Sequence, residues 1–262
     1  MKITIIYLRN DKCKSAIIKK GERTMEFANK VAIITGAASG MGKLTAENLI
    51  AQGAKVTVAD ITPVEENENL LYVSCDVRKF DQITNVVEKT IERFGRIDYV
   101  VNCAGGDGIR ILKGVRDYIK VDPDILEWEI DVNLKGPMLL AKAALPYMVE
   151  QKNGVILNLG SICGAEASSG SIGYSTAKAG IMNGFTQSLA KYCAPHGIRV
   201  VTVSPGPVLT RAAMANMKTL IGRAAEPQEI VDLMLYLLSD KAAFITGTNY
   251  LIDGGRYCMG KA

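Results

Sequence analysis

From residue 31 onward, short apolar runs alternate with longer stretches in which apolar positions recur at helical spacing. The runs Val31–Thr35, Lys55–Ala59, Leu70–Ser74, Asp98–Asn102, Gly154–Gly160, Ile198–Ser204 and Asn249–Ile252 read as strands. Several are apolar almost throughout, as strands covered on both faces must be. Helical periodicity occupies 40–53, 79–94, 123–152, 173–193 and 227–239. Strand–helix alternation of this kind predicts an α/β fold: one doubly wound domain with a mostly parallel sheet and helices on both faces. One stretch breaks the alternation. Between Asp60 and Leu70 the sequence Ile-Thr-Pro-Val-Glu-Glu-Asn-Glu-Asn is too short and too polar for a crossover helix, so a turn is expected there.

The chain divides into a head, residues 1–24, and a body, 25–262, that carries the alternating pattern. Met25-Glu26-Phe27-Ala28-Asn29-Lys30 runs straight into the first strand and makes a natural start. Lys19-Lys20-Gly21-Glu22-Arg23 can be encoded by a purine-rich stretch resembling a ribosome-binding site, so the head need not be native. A cleaved targeting segment is the other reading; Asp11 and Glu22 weigh against it. The head is expected to contribute nothing to catalysis or core stability.

Charge sharpens this division. The net charge of +4 is concentrated in the head, where seven Lys/Arg face two Asp/Glu. The body is therefore near −1 and offers no electrostatic footprint for nucleic acid. No apolar run approaches the ~20 residues that span a bilayer, so no membrane association is expected. The six cysteines show neither CxxC nor a framework spacing, which fits free thiols in a reducing cytoplasm. A single histidine, His196, excludes a histidine-based charge relay and a multi-histidine metal site; no metal is expected.

The candidate chemistry centres on Tyr174-Ser175-Thr176-Ala177-Lys178, with Ser161 thirteen residues before the tyrosine. Positions i and i+4 share a helix face, so the Lys178 ammonium can sit beside the Tyr174 phenol and favour phenolate. Ser161 can offer a second hydroxyl to the same reacting oxygen. Upstream, Thr35-Gly36-Ala37-Ala38-Ser39-Gly40-Met41-Gly42 joins the first strand to the first helix. Its glycines let the backbone approach a pyrophosphate at a helix N-terminus. Asp60 ends the second strand, where a carboxylate accepts from ribose hydroxyls and repels a 2′-phosphate. Ile61 follows it, Ser39 holds the loop position where a basic residue could meet that phosphate, and Lys43 is the nearby cation. Charge thus favours NAD over NADP.

The ordered set of TGxxxGxG at 35–42, Asp60, Asp76-Val77, Asn102-Cys103-Ala104-Gly105, Asn133, Ser161, Tyr174…Lys178, Pro205-Gly206-Pro207-Val208-Leu209-Thr210 and Asp253-Gly254-Gly255 resembles the short-chain dehydrogenase/reductase family. The likeness runs from about Lys30 to Gly255. It implies a Rossmann-type seven-stranded sheet and a tetrad. Tyr174 would be the acid/base. Lys178 would lower the tyrosine pKa and bind the nicotinamide ribose. Ser161 would hold the substrate oxygen, and Asn133 would interrupt a helix to hold a proton-relaying water. It further implies that Gly36, Ser39, Gly40, Met41 and Gly42 cradle the phosphates. Asp76 and Val77 would meet the adenine, while Asn102, Ala104 and Gly105 line the cofactor. Val208 and Thr210 would hold the carboxamide. Cys103 stands where the family usually has a second asparagine and is expected to be an inert thiol. A homotetramer or homodimer using the long helices and the last strand is also implied.

The stretch from Thr210 to Arg223 is short for the substrate lid that the resemblance implies, and Arg211–Met217 within it can form barely two helical turns. Candidate pocket walls are Gly106–Arg110, Ile162–Glu166, Met214 and Met217. The expected function is NAD-dependent interconversion of a secondary alcohol and a ketone. Alternatives are an NADPH-dependent reductase of the 3-oxoacyl type, or a dinucleotide-sensing protein without turnover. The intact set of catalytic residues argues against the sensor.

Overall fold

A computed structural model describes residues 25–259. The expectations for the head fall on residues 1–24 and lie outside the described part. The strands are β1 (Val31–Thr35), β2 (Lys55–Asp60), β3 (Leu70–Ser74), β4 (Tyr99–Asn102), β5 (Gly154–Leu159), β6 (Ile198–Pro205) and β7 (Thr248–Ile252). They form one parallel sheet in the order β3-β2-β1-β4-β5-β6-β7. β1 lies inside it, with Val31 opposite Lys55 on one side and Ala32 opposite Tyr99 on the other.

The alternation of side chains along each strand divides the core in two. On one face Ala32, Ile34, Val56, Val58, Val101 and Leu157 pack under α1 (Gly40–Ala51) and α9 (Pro227–Leu238), whose Leu49, Met234 and Leu237 are fully buried. On the other, Ile33, Val100, Ile156 and Val200 meet Ile83 and Val87 of α2 (Phe80–Phe94) and Leu140 and Met148 of α5 (Gly136–Gln151). Each such side chain contributes roughly 1.5–3 kcal/mol on burial. The strand order reverses between β1 and β4, and a crevice opens there beyond the carboxyl ends of the strands. Two one-turn helices, α3 (Gly108–Ile111) and α6 (Cys163–Glu166), follow β4 and β5 at that edge.

No helix forms between β2 and β3, as the polar Asp60–Leu70 segment predicts; an isolated bridge between Asn67 and Leu70 ends it. The two long helices differ from expectation. Between α4 (Pro123–Ile130) and α5 lies a π turn over Asp131–Lys135. Another, Gly180–Phe185, joins α7 (Ile172–Ala179) to α8 (Thr186–Cys193). In the second, Thr186 Oγ1 donates to the carbonyl of Ile181 at 2.6 Å, five residues back, and lies 2.6 Å from Thr202 Oγ1 of β6. In the first, the Gly136 N–H reaches the carbonyl of Asp131, also five residues back. Such bulges widen a helix where a side chain must turn inward.

Candidate active site

Two cavities open side by side along the carboxyl edge of the sheet. The first, about 250 Å³, is lined by strand ends and the turns after them: Gly36, Asp60, Asp76, Val77, Ala104 and Gly105, with Trp128 and Val132 as its apolar floor. The second, about 310 Å³, holds Ser161, Tyr174 and Lys178, and extends to Val208, Thr210 and the methionines Met214 and Met217. Gly105 faces both.

The glycine loop is built for close approach. A Cβ on Gly36 would lie 2.6 Å from the Ala104 backbone, and one on Gly42 would lie 2.5 Å from the Gly36 carbonyl oxygen. Gly40, at φ +56°, instead faces open space, with nothing within 4 Å of a built Cβ. Ser39 caps α1 without a side-chain hydrogen bond, so the orphan N–H groups of the first turn are served by no cap from it. A helix start with open space above a side-chain-free residue fits a pyrophosphate.

Asp60 anchors this loop: Oδ2 accepts from the Ala38 N–H at 2.9 Å and Oδ1 from the Thr62 N–H at 2.9 Å. Lys43 is not the only cation nearby, which corrects the expectation from sequence. Arg78 also lines the cavity, reaching it from beyond the third strand, where sequence spacing does not single it out. Its guanidinium is tied to Asp76 through Nε at 2.9 Å and Nη2 at 2.6 Å. The hydrogen bonds from Arg78 hold the Asp76 carboxyl below the usual carboxylate range.

In the second cavity, α7 presents Tyr174 and Lys178 on one face, with Lys178 Nζ 5.7 Å from the Tyr174 ring centre. Ser161, just beyond the end of β5, faces the same cavity as the phenol, and its Oγ accepts from the Cys163 N–H at 3.2 Å. The pKa pattern departs from the sequence expectation. Burial pushes the Tyr174 phenol up to about 12, against a smaller downward pull from Ser161. Burial likewise brings the Lys178 ammonium down to about 8. Lys178 Nζ is also engaged, donating to the Leu159 carbonyl at 2.7 Å. The phenol is therefore protonated at neutral pH, and the lysine beside it is poised near its own titration.

Asn133 sits within the π turn, fully buried, and its side chain braces a loop. Nδ2 donates to the Gly106 carbonyl at 3.0 Å and the Glu129 carbonyl at 2.9 Å, while Oδ1 accepts from the Gly106 N–H at 2.8 Å. The Asn133 side-chain amide is thus satisfied by backbone, within the helix interruption expected at this residue. Gly105 explains the tightness: a Cβ there would lie 2.5 Å from Asn133 Oδ1 and 3.5 Å from Lys178 Nζ. Both Gly105 (φ 152°) and Gly106 (φ 151°) need glycine's backbone freedom.

Val208 and Thr210 line the second cavity as expected, while Ser39, Gly40 and Gly42 of the glycine loop line neither. Met41, expected at the phosphates, reaches the second. Asn102 lines neither: buried at the end of β4, it donates through Nδ2 to Asn158 Oδ1 of β5 at 2.9 Å. Cys103 lines the second cavity, and burial pushes its thiol up to about 12, which suits an inert group. Of the expected walls, Gly108, Ile109, Gly164, Ala165 and Glu166 do not line the cavity, and Glu166 is paired with Arg256 at 3.0 Å. The lid reduces to a 3-10 segment, Ala212–Asn216.

One buried carboxyl is absent from the residues that the sequence motifs mark. Glu129 is fully buried on α4, and Oε1 accepts from the Gly108 N–H at 2.9 Å, at the start of α3. The N–H groups of Ile109 and Tyr174 also face this carboxyl, while Oε2 has no geometric partner among the described residues. Burial raises its pKa. Its placement four residues from both Ile125 and Asn133, on a buried stripe, was the available signal.

Comparison with known proteins adds relatives of matching length. A family model described as enoyl-(acyl carrier protein) reductase matches residues 36–256. A 3-oxoacyl-(acyl-carrier-protein) reductase of Thermotoga maritima is 36% identical over 253 residues, spanning 88% of this chain and 99% of its own. A trans-4-hydroxycyclohexanecarboxylate dehydrogenase of Sinomonas cyclohexanicum is 37% identical over 250 residues, spanning 87% and 93%. A crystal structure of levodione reductase superposes with a TM-score of 0.80 at 29% identity, covering 89% of this chain and 100% of the other.

Proposed function

Because this chain belongs to the short-chain dehydrogenase/reductase family, we propose that Tyr174, Ser161 and Lys178 are the proton-handling groups of its reaction. The chain is an oxidoreductase acting on CH–OH groups that interconverts a secondary alcohol and a ketone with a nicotinamide dinucleotide. The observation that carries the residue assignment is the convergence of the three side chains on one cavity, against the loop that Asn133 braces.

A nicotinamide dinucleotide held here would supply or accept the hydride. Ser161 and Tyr174 orient the substrate oxygen between two hydroxyls. In the direction of ketone reduction Tyr174, protonated at neutral pH, gives its proton to that oxygen. Lys178 stabilises the phenolate left behind and would hold the nicotinamide ribose. In alcohol oxidation the same groups run in reverse. Gly36, Ser39, Gly40 and Gly42 would hold the pyrophosphate, Asp60 the ribose hydroxyls, Asp76 and Val77 the adenine, and Val208 and Thr210 the carboxamide. Asp60 repels a 2′-phosphate, and Arg78 is already engaged by Asp76, so NAD is the cofactor.

A second reading keeps the chemistry and changes the substrate and cofactor: reduction of a 3-oxoacyl thioester with NADPH. The relative of that name, matching 99% of its own length, favours it. Against it stands a cavity of about 310 Å³, at the low end of the roughly 300–1,000 Å³ common for ligand sites. That size suits a compact ring, as in the substrate for which the Sinomonas cyclohexanicum relative is named. The deciding experiment follows NADH and NADPH consumption on ring ketones and 3-oxoacyl thioesters. Faster turnover with NADPH under matched conditions overturns the cofactor assignment.

The chain acts in the cytoplasm as a homodimer or homotetramer. In support, an apolar groove of about 580 Å³ runs between α5 and α8, with Met138, Leu145, Phe185 and Tyr192 in its walls. Met138 and Tyr192 are about half exposed in the single chain. Light scattering that returns a monomer mass at micromolar concentration rejects this assembly.

A further inference from the structure

The charges around the substrate cavity do not balance. Asp107, Arg110, Lys178 and Arg211 line it. Lys178 belongs to the reacting centre. The single carboxylate, Asp107, is already neutralised: Arg116 Nη2 lies 2.6 Å from Oδ2, and Oδ1 accepts the Arg110 backbone N–H. Arg116 is itself consumed, donating through Nη1 to the Gly170 carbonyl and to Ser171 Oγ at 2.6 and 2.7 Å.

Arg110 and Arg211 remain. Neither guanidinium forms an ion pair among the described residues. The Arg211 side chain contacts the Met214 sulfur at 3.4 Å, a weak acceptor. The two belong to different walls. Arg110 stands on α3, beyond β4, and Arg211 opens the lid beyond β6. Arg110 Nη2 lies 3.6 Å from a Cβ built on Gly106, the residue whose backbone Asn133 braces beside the reacting centre. Arg211 is near enough to the Tyr174 phenol to favour its ionisation. Ile162, Met214 and Met217 add apolar surface to the rim, beside the hydroxyls of Ser171 and Thr210.

We propose that the substrate carries a carboxylate, gripped between Arg110 and Arg211, on a compact apolar body whose hydroxyl or ketone faces Ser161 and Tyr174. This rests on the oxidoreductase reading above and narrows its substrate to an oxo or hydroxy acid. A planar guanidinium matches a carboxylate through paired hydrogen bonds, and two of them from different walls fix the orientation of a small molecule. Both side chains reach solvent, so the preference is moderate and falls with ionic strength.

The test reads binding, so that it stands whether or not turnover is found. Calorimetry compares cyclohexanecarboxylate with cyclohexanecarboxamide, with and without NAD, on the full chain and on Arg110→Gln and Arg211→Gln. The acid is expected to bind about tenfold more tightly than the amide. Each substitution should collapse that ratio toward one, and added salt should weaken it in the unsubstituted chain. Equal binding of acid and amide by the unsubstituted chain overturns the proposal. So does an Arg211→Gln variant that loses NAD affinity while keeping the ratio, because Arg211 would then serve the cofactor. Failure of the ring-ketone panel with an intact acid-over-amide ratio would instead fault the reaction and leave the carboxylate site standing.

Discussion

The two cavities at the edge of the sheet are neighbours made by opposite means. The dinucleotide side is made of strand ends and tight turns, with its carboxylates held in place by backbone N–H groups and Arg78. The substrate side is made of loops after β4, β5 and β6, with an apolar rim and a surplus of positive charge. The first is shaped by where the parallel sheet stops, so the fold itself supplies it. The second depends on side chains that meet from distant parts of the chain. One fold can therefore keep its cofactor geometry while the substrate changes.

The sharpest way to break this contrast is Tyr174→Phe, which keeps the ring and removes the proton donor. Activity is expected to fall at least ~10²-fold, with dinucleotide binding retained when titrated by fluorescence. Near-normal turnover would mean that the chemistry lies elsewhere. Lys178→Ala should cross the boundary between the sides, lowering turnover and NAD affinity together.

The same lysine sets the expected pH profile. Tyr174 holds its proton to about 12, whereas Lys178 titrates near 8. Ketone reduction should therefore decline as pH rises through about 8, and Lys178→Arg, which keeps its charge, should move the decline upward. A profile flat beyond pH 10 would contradict this role.

On the dinucleotide side, Asp60→Asn retains a carbonyl acceptor for the loop and removes the charge. The preference for NAD over NADP should narrow by about 1–3 kcal/mol, read from the ratio of kcat/KM values. An unchanged ratio would show that the carboxylate shapes the glycine loop and does not select the cofactor.

The smallest effect expected is at Glu129, beneath both sides. Burial raises its pKa, so the folded state retains a proton that the unfolded chain gives up. The stability tied to that proton is complete below the ordinary carboxylate pKa and is lost as pH rises through the folded value. A Glu129→Gln variant cannot ionise there. Its melting temperature should match the parent in acid and exceed it progressively toward neutral pH, by a few degrees (on the order of 2–4 °C per kcal/mol at this chain length). If the same variant melts below the parent at neutral pH, an ionised carboxylate serves the N–H groups of Gly108 and Tyr174.

Legibility from sequence follows the same divide. The strands, the glycine turn, Asp60 and the Tyr174–Lys178 pair are set by local spacing, and each lies where local spacing puts it. Asn102 misled because its amide serves Asn158 on a strand that arrives 56 residues later. The Asn133 brace on Gly106, 27 residues away, and the Arg116–Asp107 pair depend on how separate loops fold together. The elevated Tyr174 and lowered Lys178 values come from burial, which spacing cannot weigh. A single surplus residue barely disturbs a helical repeat, so the second π turn escaped, while the break at Asn133 was implied by the family resemblance alone.

That surplus residue has a genetic consequence. A π turn is an α-helix carrying one insertion, and each residue advances a helix by about 100°. Substitution within 131–135 alters one side chain at a time. Removal of a single codon there would instead leave a regular, uninterrupted helix and swing everything on one flank of the deletion around the axis. Asn133 would lose its line to Gly106, or the apolar stripe of α5 would leave the sheet. The active site of this protein is thus guarded by reading-frame arithmetic in units of whole residues: the segment should accept many exchanges and almost no change of length.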